Sequence, residues 1–192
     1  MFKSILFVII CTLSLYSKPL TNFEILTDFN EKFVIQINDF LLQQKVSQIT
    51  INTNESEISS LLKNALIQKL SSVSIAVSEN SNSKINLLPI YAGVEYQNYS
   101  ESNDSLKRII KYRIQGNYSD GNTIVNIPEA DYIFNDIISR NNINILENKQ
   151  LDFTRGVIPN PEKTFFERFV EPVAIIATAA LTVFLLFSLR TN

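Results

Sequence analysis

Histidine is absent from the 192 residues, and cysteine occurs once, at Cys11. Without an imidazole there is no Ser-His-Asp or Cys-His machinery and no histidine ligand for a metal. Because Cys11 sits inside an N-terminal apolar run, the rest of the chain can form no disulfide, thiolate nucleophile or cysteine-ligated zinc site. A basic excess is missing too. The 17 Lys+Arg stand against 19 Asp+Glu, a net charge of −2, whereas a nucleic-acid binder usually carries a positive surplus. Nucleic acid is therefore not an expected partner, and no catalytic residue, cofactor or metal site is expected.

What the chain does have is oil at both ends. Residues 1–18 read MFKSILFVIICTLSLYSK: a positive Lys3, an apolar stretch from Ile5 to Leu15, then small Ser17. This is the pattern of a secretory signal peptide, too short for an ordinary spanning helix. Ile10 stands before Cys11 where a bacterial lipoprotein site wants a small residue, so cleavage after Ser17 is the expectation rather than lipidation.

At the other end, Val173 to Leu189 carries no charge. With Phe169, Val170 and Pro172 the apolar length reaches about 21 positions, or roughly 30 Å of helix at 1.5 Å per residue. Phe165, Phe166 and Phe169 mark one boundary as an interfacial aromatic layer would, and Arg190 marks the other. Asn160, Pro161 and Glu162 suit the N-cap, first position and first turn of a juxtamembrane helix running into this span. Ala174, Thr178 and Thr182 fall at i, i+4 and i+8, a small-residue face for contact with another helix, or simply residues that a single-pass anchor tolerates.

The implied organisation is a signal peptide over 1–17, an extracytoplasmic domain over 18–152, a juxtamembrane connector over 153–171 and a transmembrane helix over 172–190. With Lys3 and Arg190 set aside, the 17 basic residues become 15 against 19 acidic, and the middle is mildly acidic. A disulfide-free domain of this size fits a bacterial envelope better than a secreted eukaryotic one. The expected location is the bacterial inner membrane, with the domain periplasmic and the C-terminus cytoplasmic.

Within the domain, Phe23, Leu26, Phe33, Ile37, Phe40 and Leu41 recur at helical spacing, as do Ile58, Leu61, Leu62, Ala65, Leu66 and Leu70 behind a candidate cap at Asn54. Val46, Ile49 and Ile51 alternate as a short strand, and Val73, Ile75 and Val77 as another. From Ile85 onward the chain reads as extended. Asp120-Gly121 is the turn of a hairpin, and EADYIFNDII adds a further strand. The expected fold is α+β: a two-layer domain with two N-terminal helices packed on a mainly antiparallel sheet, plus one C-terminal transmembrane helix. In pattern, though not in motif, it resembles small envelope domains that assist secretion or cell-wall synthesis, and no residue roles follow from that.

Three constellations are candidates for function. Lys107, Lys111 and Arg113 share one side of a strand whose other side holds Ile110, Tyr112 and Ile114. They form either a cationic strip for anionic lipid or polymer, or the solvated face of an edge-protected strand. Glu95, Asp131 and Asp136 would serve a hydrolase if two of them flanked one bond at about 5 to 9 Å. Arg155, Phe165, Phe166, Arg168 and Phe169 form a charged aromatic collar suited to docking on head groups or on a partner. The leading expectation is a non-catalytic, single-pass envelope protein that binds another protein as a subunit or accessory of a membrane complex. A polymer- or lipid-binding module comes second and a carboxylate hydrolase third.

Overall fold

A computed structural model describes residues 18–100, 102–162 and 165–189, with side chains in the last helix described at 169–170 and 172–185. The signal-peptide assignment over 1–17 lies outside the described residues, as does Arg190.

Helix α1 (Asn22–Gln43) starts where Thr21 and Glu24 form a capping box. The Glu24 amide donates to the Thr21 hydroxyl at 3.2 Å, and Glu24 accepts from the Thr21 amide at 2.7 Å. The Thr21 amide first, and then the Thr21 hydroxyl donating to the same carboxylate at 2.8 Å, hold the Glu24 carboxyl below its ordinary pKa. Its buried stripe, Ile25, Leu26, Phe29, Phe33, Val34, Ile37 and Leu41, also includes Asn22, Asn30 and Asn38. After β1 (Gln48–Thr53) comes α2 (Glu57–Ser72), capped by Ser56 and not by Asn54. The Asn54 amide oxygen accepts from the Ser59 hydroxyl one turn inside.

Short β2 (Ala76–Val77) is followed by three long strands: β3 (Lys84–Tyr99), β4 (Ser102–Ser119) and β5 (Ile124–Ser139). The five lie in the order β2-β1-β3-β4-β5. β1 pairs in parallel with both β2 and β3, while β3-β4 and β4-β5 are antiparallel. The sheet is therefore mixed, with short parallel ladders beside long antiparallel ones. The α2 crossover is what allows β1 and β2 to run the same way.

The turn at 120–123 follows from its residues. Gly121 takes φ +94°, and the Asp120 carboxylate accepts from the amides of Asn122 (2.9 Å) and Thr123 (2.7 Å). β5 is one strand, although Pro128 breaks its sequence pattern. The β4-β5 register shifts between Ile114 and Gly116, where Gln115 faces Pro128 and Glu129. A bulge there tolerates a residue with no amide to donate. Pro89 in β3 sits at a second shift, between Pro89 and Tyr91, on the other side of the same β4 segment.

Both helices cover one sheet face. Ile85, Leu87, Leu106, Ile110, Tyr112 and Ile114 join the helix stripes in a single buried core. Each large side chain buried there contributes roughly 1.5–3 kcal/mol. Phe29 stacks on Tyr132 at 5.2 Å and Phe40 meets Tyr118 edge-on at 5.6 Å, fastening α1 to β5 and β4. The strap after β5 contains a 3-10 turn (Arg140–Asn142), the short α3 (Ile143–Leu146) and a second 3-10 turn (Asp152–Thr154). This compact unit ends at Pro159.

The second unit holds α4 (Phe165–Leu189), with Pro172 inside it. Residues 160–162 are not helical, so Asn160 does not cap this helix. Among the described residues, no helix is long and apolar enough to cross a membrane. The transmembrane helix expected over 172–190 is therefore not supported.

Candidate functional site

Alternation along β4 sorts its side chains between two environments. Even positions from Leu106 to Ile114 point under the helices, and odd positions point to the uncovered face. Lys107, Lys111 and Arg113 therefore stand together on the outer face, as the spacing predicts. Two of them are matched by acids from neighbouring strands. The Lys111 ammonium lies 3.0 Å from Glu95, and Arg113 reaches Asp131 at 2.7 Å and Glu129 at 3.1 Å. Lys107 is exposed. The strip is thus part of a balanced lattice of charges, and such exposed pairs contribute little to stability.

The three acids weighed as a hydrolytic pair do not all converge, although Glu95 and Asp131 line one shallow concavity of about 290 Å³ with Lys111 and Arg113. Asp136 is on the helix-covered side, bound to Arg108. Glu95 and Asp131 are on the outer face, but β4 runs between their strands and their partners in it are Ile109 and Arg113. Two strand spacings and four residues of rise set their backbones roughly 16 Å apart, and each carboxylate is engaged by a β4 cation, Glu95 by Lys111 and Asp131 by Arg113. Among the described residues no group of three His, Cys, Asp or Glu could hold a metal ion.

Between the charges, Leu88, Ile90, Tyr91, Ile133 and Ile137 expose apolar surface, Ile133 at 58%. One end of the same face is different. Asn52, Asn86, Asn117 and Asn126 occupy matching positions on β1, β3, β4 and β5. The Asn52 Nδ2 donates to Asn86 Oδ1 at 2.8 Å, and the Asn86 Nδ2 to Asn117 Oδ1 at 2.7 Å. This row lines a concavity of about 590 Å³ together with Leu88, Gln115 and Glu129.

Under the helices lies a polar cluster that the sequence reading missed. Arg108 is 0% exposed, and its guanidinium grips both Asp136 oxygens, at 2.8 and 2.6 Å. A further nitrogen donates to the Leu20 carbonyl and to Asn22 Oδ1, each at 2.8 Å, and the group lies 5.6 Å from the Phe134 ring centre. The Asn22 amide in turn donates to the Tyr96 hydroxyl (3.0 Å) and the Thr154 carbonyl (2.8 Å). Burial pushes the Tyr96 pKa up to about 12. One network therefore joins the start of α1, strands β3 to β5 and the strap. Position 108 shares its parity with Ile110 and Tyr112, and that was the available signal.

The collar is placed in part. Arg155 pairs with Asp152 at 3.4 Å in the strap. Phe169 is exposed. The side chains of Phe165, Phe166 and Arg168 lie outside the described residues. In α4 the Thr178 hydroxyl donates to the Ala174 carbonyl at 2.7 Å, and the Thr182 hydroxyl to the Thr178 carbonyl at 2.8 Å. Both hydroxyls on the Ala174–Thr178–Thr182 face are thus satisfied within the helix. Ile175, Ile176, Leu181 and Phe184 are among the exposed apolar residues around it, Phe184 at 69%.

The described geometry is that of an α+β domain carrying helices on one face of a mixed five-stranded sheet. No family model and no curated protein matches this chain. Among solved structures, it is similar to a minor lipoprotein from Acinetobacter baumannii at 14% identity and a TM-score of 0.36. That match covers 52% of this chain and 75% of the other. A likeness that distant carries no argument about function.

Proposed function

We propose that this chain is a non-catalytic, membrane-attached protein of the bacterial envelope. Its α+β domain lies on the extracytoplasmic side and binds a second protein through the uncovered sheet face, as a subunit or accessory of a membrane complex. The observation that carries the reading is the make-up of that face. Exposed Ile133, Ile137, Ile90 and Tyr91 are interleaved with ion-paired Lys111, Arg113, Glu95 and Asp131, the mixture of apolar patches and compensated charge that a protein interface uses. α4 supports membrane attachment: its apolar side chains face outward and its threonines bond back to the helix, as backbone and hydroxyl groups must in lipid.

A photo-crosslinker at position 133 or 137 of the full chain in intact cells should trap one discrete partner. The same group at Lys63, on α2, should not. A lone monomer in several mild detergents, with equal labelling from all three positions, refutes the partner reading. Protease added to spheroplasts tests the orientation separately and should digest residues 18–159.

A further inference from the structure

The outer sheet face has a second region whose chemistry differs from that of the apolar and ion-paired part. We infer that the asparagine row Asn52–Asn86–Asn117–Asn126 and its concavity form a binding site for a neutral glycan bearing hydroxyl and acetamido groups. The inference goes beyond the partner reading. It rests on the extracytoplasmic placement for the source of the glycan alone, and not for the binding itself.

Each carboxamide offers two N–H donors and two acceptor lone pairs. The two bonds within the row use one donor of Asn52, one acceptor direction and one donor of Asn86, and one acceptor direction of Asn117. Every member of the row keeps both kinds of group for a ligand. The bonds also fix which end of the Asn86 amide is oxygen, so the row is ordered before anything binds. Strand pairing sets its period: carboxamides recur about every 4.8 Å, and the four span about 14 Å. One sugar ring is about as wide as one such step. The concavity, at about 590 Å³, is within the range of ligand sites.

Charge narrows the class. Glu129 is the charged residue among those lining the concavity, and its carboxylate is already engaged by Gln115 (2.6 Å) and Arg113 (3.1 Å). Among the described residues no cation lines it, so phosphate-bearing polymers and acidic peptides find no neutralising group in this lining. The half-exposed Leu88 side chain supplies apolar surface for the C–H face of a ring. An extended peptide is disfavoured by direction. Peptides join sheets along an edge through backbone bonds, whereas this row crosses interior strands whose backbone groups are committed to the β1-β3, β3-β4 and β4-β5 ladders.

The test uses the full chain in a non-glycosidic detergent, because a maltoside headgroup would compete. Chitotetraose titrated into isotopically labelled protein should shift the side-chain NH2 signals of Asn52, Asn86, Asn117 and Asn126 saturably. Cellotetraose, which lacks acetamido groups, should bind more weakly. Asn52→Ala and Asn126→Ala, both at exposed ends of the row, should each weaken binding roughly tenfold, the loss of one or two ligand hydrogen bonds. Lys107→Ala with Lys111→Ala should leave binding within about twofold. No saturable shift, equal binding of cellotetraose, affinity that survives both asparagine variants, or displacement by a neutral oligopeptide of similar length would each overturn the inference. Loss of the crosslink at 133 and 137 with glycan binding intact sinks the partner reading alone.

Discussion

Replacing Asp136 with alanine isolates the buried arginine and gives the sharpest test of how this domain is held together. Arg108 is wholly buried and bidentate to Asp136, and it also donates to the Leu20 carbonyl and Asn22 Oδ1. Removing one partner of a buried pair costs about 3–5 kcal/mol, because the surviving charge stays desolvated. The Asp136 side chain is 27% exposed, so water can reach the vacated edge and the lower end, about 3 kcal/mol, is expected. For a domain of this size that is a fall in Tm of about 10 °C.

Arg108→Met removes the charge as well. It leaves the Leu20 carbonyl and Asn22 Oδ1 each short of a donor, at about 1 kcal/mol apiece, while Asp136 turns to solvent. The expected order is that Asp136→Ala is worse than Arg108→Met, with the double variant close to Arg108→Met alone. Denaturation of the full chain in detergent micelles, followed by circular dichroism, measures all three. Hydrogen exchange should rise at Asn22–Leu26 before it rises in β1. A loss below 1 kcal/mol for Asp136→Ala, or Arg108→Met proving the worse variant, refutes the reasoning.

Other outcomes follow from the same contacts. A Cβ on Gly116 would lie 2.8 Å from Leu87 Cδ2 and 3.1 Å from the Asn86 carbonyl, so Gly116→Val should cost about 1–3 kcal/mol and disturb the Asn86 and Asn117 amide signals. At Gly156 the added carbon would meet the Val94 carbonyl at 2.7 Å; Gly156→Ala should release the strap, read as faster proteolysis within 147–159. Tyr96, held by burial at about 12 against an ordinary 10.0, keeps its proton after the unfolded chain has lost it. Its contribution is complete below pH 10 and disappears between about pH 10 and 12, so alkaline unfolding should be less steep in Tyr96→Phe. Finally, substituting Lys107, Lys111 and Arg113 together by alanine should change anionic-vesicle pull-down less than twofold, since two of the three already face carboxylates.

The helices were legible because their apolar residues repeat over several turns, and the hairpin because Asp120-Gly121 states its geometry locally. Two prolines limited the reading of the sheet. Pro128 reads as a strand end, yet the chain takes up the missing donor in a bulge and pairs again at Ala130. Asn54 looked like a cap from its position before an apolar run, but Ser56 lies nearer the first free amides. Arg108 is a different kind of omission: alternation marks it as inward-facing, but a lone arginine on an apolar side gives no hint that Leu20, Asn22 and Asp136 converge on it from 88, 86 and 28 residues away. The asparagine row was equally out of reach, since membership depends on the register of four strands and on two bulges that offset it.

Those bulges also bear on why the two halves of the outer face differ. Each inserts a residue beside the same stretch of β4, one against Ile114 from β3 and one against Gln115 from β5, and bulges bend and twist a sheet where they occur. On one side of the bend stand Lys111, Ile133 and Ile137; on the other stands the asparagine row with its concavity. Were the β3 register unbroken by its insertion, Leu87 rather than Asn86 would face Asn117, and were that of β5 unbroken, Ile127 would stand where Asn126 does. The row exists because both strands regain register before they reach it. Deleting Ile90 should remove the insertion alone: Pro89 and Tyr91 would pair with Ile114 and Arg113 in unbroken alternation, keeping both the Ile85–Leu87 core contacts and the Glu95–Lys111 pair while the local bend is lost. Glycan affinity should then fall as the concavity flattens, while the Asn86–Asn117 pairing persists; affinity unchanged by the deletion refutes the bend as the source of the concavity.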